Sequence, residues 1–494
     1  MNGDVGLLFG GFGGRASSWF VKRRRDLVAK RVRKALLSIP FYREKLKKNS
    51  VEFHEVRRIN TIEKLDAFLQ KYKVNWVEGT DLIGGDFSSH LSLAPKNERT
   101  WVQYSSGYML VERLRKGEKF LEVARKFRRK KVAFTENDLK LVINEVYSRG
   151  LERLYPNNVI PRIAIFSRIH IYLGSGTYPF ASLLKLSNKR RLMVLPYGEP
   201  LSQEQLSDYV LDSIENGANG LITIPSILKD LGKLMVEYNL KYENLRYIGM
   251  GGFRPTREVV DLGHEIGAQL IIDAYSVQEC MPLGCIASGT ISSLDRSWEP
   301  TEGLMVMGNL CHVRVVDKNG ENVDEGEEGE IRITSPFEGT TLIDYAPGDV
   351  TELLSYNTAV EFKGWRINLP YALLSYDIKR SHESSYVKIR EYPMSLPILN
   401  EILASHCSYD YAIFKPQSKD ELVILVPESI KKGDFDEICR KVRYSTHPLI
   451  CNSIKVKKVK EDKLRRIVYP NIHHKPHNII LEPSRQLEEE INAL

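Results

Sequence analysis

The chain has 494 residues, 42% hydrophobic and 27% charged, ordinary proportions for a globular protein of about two or three domains. No run of about eighteen apolar residues occurs, so no transmembrane helix is expected, and six unevenly spaced cysteines do not form a disulfide framework. The net charge of +8 gathers in "VKRRR", "RKFRRKK" and "KVKKVK"; such clusters attract phosphates, acidic partners or nucleic acid, or simply make a solvated surface.

The opening stretch "MNGDVGLLFGGFGG" lacks the basic residues of a signal peptide, and a cytoplasmic location is expected. Scarce Gln with plentiful Lys, Arg, Glu and Ile leans toward a thermophilic source. Residues 20–48 read as a basic amphipathic helix, a Pro break and a second short helix. From 134 to 275 helix and strand patterns alternate: "TENDLKLVINEVYSRGLERLY" helix, "RIAIFS" strand, "RLMVLPYG" strand, "SQEQLSDYVLDSIENGA" helix, "GLITIPS" strand, "ILKDLGKLMVEYNL" helix, "LRYIGMGG" strand, "TREVVDLGHEIGA" helix and "QLIIDAYS" strand. Ser202 with Gln205 three residues on predicts a capping box. The alternation predicts an α/β fold with a parallel sheet, whose ligands sit at the carboxyl ends of the strands. After 300, "HVRVVDKNGENVDEGEEGEIRITSP" predicts a hairpin turning at Asn-Gly, within a small β-rich subdomain. The remainder reads as a compact α+β unit, giving domains over 1–378 and 379–494.

Seven stretches stand colinear over most of the chain: "IPFYREKL", "INTIEKLDAFL", "FTENDLKLVINEV", "TIPS", "DAYSVQEC", "EGEIRITSPFEGTTLIDYAPGDV" and "YVKIREYPMSLPILNEILASH". In this order they resemble the motifs of the adenylate-forming superfamily, in particular the phenylacetate–CoA ligase branch, which includes the coenzyme F390 synthetases. It implies a large N-terminal domain with mostly parallel sheets and a small, mobile C-terminal lid. The implied activity joins a carboxylic acid to coenzyme A through an acyl-adenylate, with ATP and Mg2+ as cofactors.

Residue by residue, the resemblance assigns Ser105, Ser106 and Gly107 to the phosphate-cradling loop, where backbone N–H groups form an anion nest. Tyr108 and Met109 replace the usual Thr pair and no Gly-x-Pro follows, so either Arg113 or Arg115 assists the phosphates or triphosphate binding has been lost. Gly251 and Gly252 match the turn that lets adenine approach the backbone, with Phe253 in place of an acidic residue. Tyr275 falls at the adenine-stacking position and Glu279 at the magnesium-contacting, catalytic one. Gln278 replaces a Ser or Thr. Asp349 would accept both ribose hydroxyls, and Arg380 would reach ribose or phosphate. Asp344 replaces an Arg. Lys463 falls at the catalytic lysine that stabilises charge at the α-phosphate after domain rotation, with Asp462 replacing a Gly. At the hinge, Glu391 follows Arg390 in place of Gly.

Cys280, Cys285, Cys311 and His312 are candidate zinc ligands or buried thiols. Three alternatives to the CoA ligase stand beside it. One is a catalytically silent binding or scaffold protein, favoured by the altered loop, Gln278, Phe253 and Glu391. The second is an adenylating enzyme with another acceptor. The third, nucleic-acid binding, rests on charge alone. Dimers are common in this branch, and the residues leave the oligomeric state open.

Overall fold

The computed structural model describes residues 17–83, 89–104, 130–142, 155, 159–166, 193–197, 202–282, 285–295, 299–362, 365–369, 371–380, 386–389, 392–416, 419–446, 448–469, 478–481 and 483–492. The chain forms two compact units: the larger draws on Met1–Ser105, Lys130–Pro255 and Val260–Ser381, and the smaller is chiefly His382–Leu494.

The larger unit begins with α1 (Ser17–Ser38) and α2 (Pro40–Lys48), separated by the extended Ile39. Pro40 supplies the break because it disfavours helical geometry in the residue before it. Val28, Ala29, Val32, Ala35 and Leu36 repeat at helical spacing, and all are essentially inaccessible. After α3 (Phe53–Arg57), α4 (Ile62–Tyr72) starts at Thr61, whose hydroxyl accepts the Lys64 amide at 3.4 Å. Strands β1 (Arg99–Tyr104) and β2 (Lys131–Thr135) pair antiparallel, and α5 (Glu136–Val142) follows directly.

Next come β3 (Arg162–Phe166), β4 (Met193–Tyr197), α6 (Gln203–Glu215), β5 (Gly220–Thr223), α7 (Pro225–Glu237), β6 (Tyr247–Gly251), α8 (Arg257–Glu265) and β7 (Leu270–Ser276). The five strands lie parallel in the order β4-β3-β5-β6-β7, as the alternation predicts. Ser202 caps α6, but the capping box is half made. Its hydroxyl accepts the Gln205 amide at 3.2 Å, while the Gln205 side chain turns outward to Tyr209 Oη at 2.7 Å. Residues 143–154 of the expected helix after β2 lie outside the described residues, and α5 is its described part.

The sheet continues antiparallel from β7 into β8 (Cys285–Ser293) and β9 (Leu304–Val306). Beyond are β10 (His312–Val316), β11 (Glu328–Pro336), β12 (Thr341–Tyr345), β13 (Asp349–Ser355), the hairpin of β14 (Thr358–Phe362) and β15 (Trp365–Leu369), then β16 (Leu373–Leu374) and β17 (Lys379–Arg380). β10 and β11 pair as the predicted hairpin, and the Asn-Gly turn closes at Gly320 with φ +78°. The larger unit's main core joins α1, α2 and α4 to strands β8–β13. Between α4 and β10, Arg314 (2% exposed) is fully engaged: Asp344 Oδ1 at 3.0 Å, Asn322 Oδ1 at 2.7 Å, the Gly320 carbonyl at 3.0 Å and Asp66 Oδ1 at 3.3 Å. Asp344 is thus one partner of a buried ion pair.

The smaller unit contains the hairpin β18 (Tyr386–Ile389) and β19 (Tyr392–Ser395), then α9 (Leu396–Cys407), β20 (Ala412–Lys415), β21 (Leu422–Pro427), α10 (Lys432–Tyr444), β22 (Ile454–Val459), α11 (Glu461–Val468), β23 (Ile479–Leu481) and α12 (Arg485–Asn492). Its sheet runs β22-β21-β20-β23. Side-chain alternation along β21 sends Leu422, Ile424 and Val426 against α9 and α10, and Val423 and Leu425 against α11 and α12. No helix of the described residues is long and apolar enough to cross a membrane.

Candidate functional site

The carboxyl ends of β6 and β7 adjoin strands and turns of the antiparallel half, all within the larger unit. β6 ends at Gly251, where a Cβ would sit 3.3 Å from the Ala274 carbonyl. Gly252 follows with φ +97°, a conformation that L side chains rarely adopt. These two residues bring bare backbone alongside the end of β7.

Tyr275, partly buried near the end of β7, donates its hydroxyl to Asp349 Oδ2 at 2.7 Å. Asp349 opens β13 directly after Gly348 (φ +85°) and is 5% exposed. Its backbone stands in register with Arg380 on β17. Thus Gly251, Gly252, Tyr275, Asp349 and the backbone of Arg380 are placed by strands of one sheet. Two residues earlier on β7, Asp273 is 5% exposed; burial pushes its carboxyl up to about 7, against the amide of Ala274 and the charge of Arg254.

Glu279 lies in the turn after β7, closed by the Cys280 amide on the Val277 carbonyl at 3.0 Å. The carboxylate is 8% exposed, and Oε1 stands 3.2 Å from Lys130 Nζ and 3.3 Å from Tyr345 Oη. Lys130 also donates to Tyr345 Oη at 2.5 Å and sits 5.2 Å from that ring's centroid. A bulge in β12 delivers Tyr345: Ile333 faces Tyr345 and Ser335 faces Leu342, so two β12 residues oppose one on β11. Asp344, inside the bulge, takes φ +48° and turns toward Arg314 while Tyr345 turns toward Glu279. Gln103, on β1 and fully buried, donates Nε2 to the carbonyls of Gln278 (2.8 Å) and Met281 (3.1 Å) and to Gln278 Oε1 (3.3 Å).

Lys130, Tyr345 and Gln103 escape a reading by sequence. Lys130 is the second-last residue of a basic run that looks like solvated surface, and Tyr345 opens the "YAPGD" motif, where Asp349 takes the attention.

Ser105, Ser106 and Gly107 lie outside the described residues, as do Tyr108, Met109, Arg113, Arg115, Arg390 and Glu391. Lys463 belongs to the smaller unit, exposed on the first turn of α11. His312 Nε2 meets Asp66 Oδ1 at 3.2 Å, and Cys280 and Cys311 are buried free thiols, which burial pushes up, with Cys285 partly buried beside Ala287. No three His, Cys, Asp or Glu side chains among the described residues group as a metal site.

No protein-family model matches the chain, and no curated protein matches it by sequence. Solved structures do match. A 2-hydroxyisobutyryl-CoA ligase in the postadenylation state, in complex with 2-HIB-AMP, superposes with a TM-score of 0.64 at 16% identity, covering 98% of this chain and 93% of that one. The same ligase in an open conformation with 2-HIB-AMP and CoA gives 0.54 at 17% identity, covering 93% and 90%. Its thioesterification-state complex gives 0.54 at 16% identity, covering 98% and 94%. The chain therefore has the fold of the adenylate-forming enzymes.

Proposed function

We propose that the protein is an ATP-dependent, AMP-forming carboxylate ligase whose acceptor is the thiol of coenzyme A, as in the phenylacetate–CoA ligase branch. The observation that carries this reading is the meeting of Tyr275 with Asp349, 74 residues apart in sequence, beside the Gly251–Gly252 turn. An aromatic ring can cover a purine, and a carboxylate has two oxygens for the two ribose hydroxyls. The ligase that shares the fold holds 2-HIB-AMP and CoA, in keeping with the same use of the site.

In this reading a substrate carboxylate oxygen attacks the α-phosphorus of ATP, and pyrophosphate leaves. The CoA sulfur then attacks the acyl carbon, and AMP leaves. Asp349 and Tyr275 fix the adenosine while Lys130, next to Glu279, presents an ammonium to phosphate oxygens. Glu279 is the carboxylate that would hold magnesium; a hard cation suits it, and the remaining ligands would come from phosphate and water. Bound there, the ion supplies charge neutralisation on the triphosphate. Lys463 would stabilise the negative charge that develops at the α-phosphate, with the smaller unit acting as the lid that carries it.

A second reading, a nucleotide-binding or scaffold protein without the reaction, is favoured by the internal partners of both acids: Tyr275 on Asp349 and Lys130 on Glu279. Pyrophosphate exchange into ATP, measured with a panel of aryl and other hydrophobic carboxylic acids, separates the two. Acid-dependent exchange supports the ligase. AMP-induced thermal stabilisation without exchange for any acid supports the binding protein.

A further inference from the structure

The Gln103 amide has its orientation dictated by its surroundings. Two of its neighbours are backbone carbonyls, of Gln278 and Met281, and these only accept, so the nitrogen end must face them. The side chain is fully buried on β1, more than 170 residues away in sequence from the turn that it holds. That turn is short, and its central residues are Gln278 and Glu279. Pinning the carbonyls of Gln278 and Met281 holds the backbone that carries Glu279, whose carboxylate lies beside Lys130 and Tyr345.

We propose that Gln103 is a positioning residue for the phosphate end of the site: it fixes the turn at Val277–Met281 so that Glu279 is presented to Lys130 and to the triphosphate. This inference rests on the nucleotide reading above. The segment that Gln103 holds, through the Gln278 and Met281 carbonyls, carries Glu279 at Lys130's end of the site, whereas Tyr275, Asp349 and the Gly251–Gly252 turn lie on other segments, so its influence is expected on the triphosphate more than on the adenosine.

The test compares ATP with Mg2+ against AMP, by thermal shift and calorimetric titration, on the full-length chain. Gln103→Leu keeps the volume and removes the donor. The expected result is an ATP affinity about tenfold lower, equivalent to about 1.4 kcal/mol, with AMP affinity changed less than about twofold. Gln103→Asn keeps an amide on a shorter stem; it covers the case in which the Leu variant does not fold, with an intermediate loss expected. In a Glu279→Ala background, Gln103→Leu should leave the ATP-to-AMP ratio as it stands. Equal losses for ATP and AMP, or a lower melting temperature with an unchanged ratio, reduce Gln103 to a structural residue and overturn the inference while the nucleotide reading stands. A wild-type protein that binds neither ATP nor AMP removes the nucleotide reading and this inference with it.

Discussion

The Tyr275 hydroxyl and Asp349 Oδ2 stand 2.7 Å apart, tying the end of β7 to the start of β13. A hydrogen bond to a buried carboxylate contributes about 1.5–3 kcal/mol. Tyr275→Phe should therefore lower unfolding stability by about that much in urea titrations while keeping the ring. If the ring covers a purine, Tyr275→Phe retains AMP-induced stabilisation, whereas Tyr275→Ala and Asp349→Ala abolish it. AMP stabilisation that survives Asp349→Ala takes the ribose away from this carboxylate.

Lys130 and Glu279 form a largely buried pair, and removing one partner takes this counter-charge from the other. We expect Lys130→Met to destabilise by about 2–4 kcal/mol, and the added Glu279→Gln to recover most of it. A double-mutant cycle in urea reads the coupling. Purely additive losses would mean that the two charges do not depend on each other.

Asp273 and Asp66 should pull the pH profile in opposite directions. The Asp273 carboxyl is raised to about 7 by burial, above its unfolded value of about 3.9, so the folded state binds the extra proton between those values. Stability then falls as pH rises from about 4 to about 7, by up to about 4 kcal/mol, and Asp273→Asn should flatten that slope. Burial also pushes the Asp66 carboxyl up, but the hydrogen bond from His312 and the charges of His312 and Arg314 outweigh it and hold it low. Its contribution is present above about pH 4 and lost on further acidification, a loss that Asp66→Asn should remove. Melting temperatures of the three proteins from pH 3 to 8, about the span of both transitions, check both signs.

Lys463 is exposed on α11, so Lys463→Ala should leave stability within about 0.5 kcal/mol. Under the ligase reading, pyrophosphate exchange should drop at least about 100-fold. Exchange at the wild-type rate would remove Lys463 from the chemistry.

The parallel half of the large sheet is legible in the sequence because each strand is a short apolar run bounded by helical periodicity. Tyr275 and Asp349 are legible because each sits in a quoted motif, at a strand end or turn. The bulge in β12 is not. Nothing in "TTLIDYAPGD" marks Asp344 as the residue with positive φ, and its Arg314 partner lies 30 residues upstream. Gln103 is equally hidden, since its partners are carbonyls, which every residue carries.

Tyr42 donates its hydroxyl to the Thr341 carbonyl at 2.6 Å, across 299 residues of chain. The apolar stripe of α1 likewise shares its core with β8 through β13. During synthesis at about 5–20 residues per second, the leading helices must therefore wait tens of seconds for the strands that cover them. In that interval a basic, half-greasy helical pair stands uncovered at the ribosome, an apolar stripe without its partner strands.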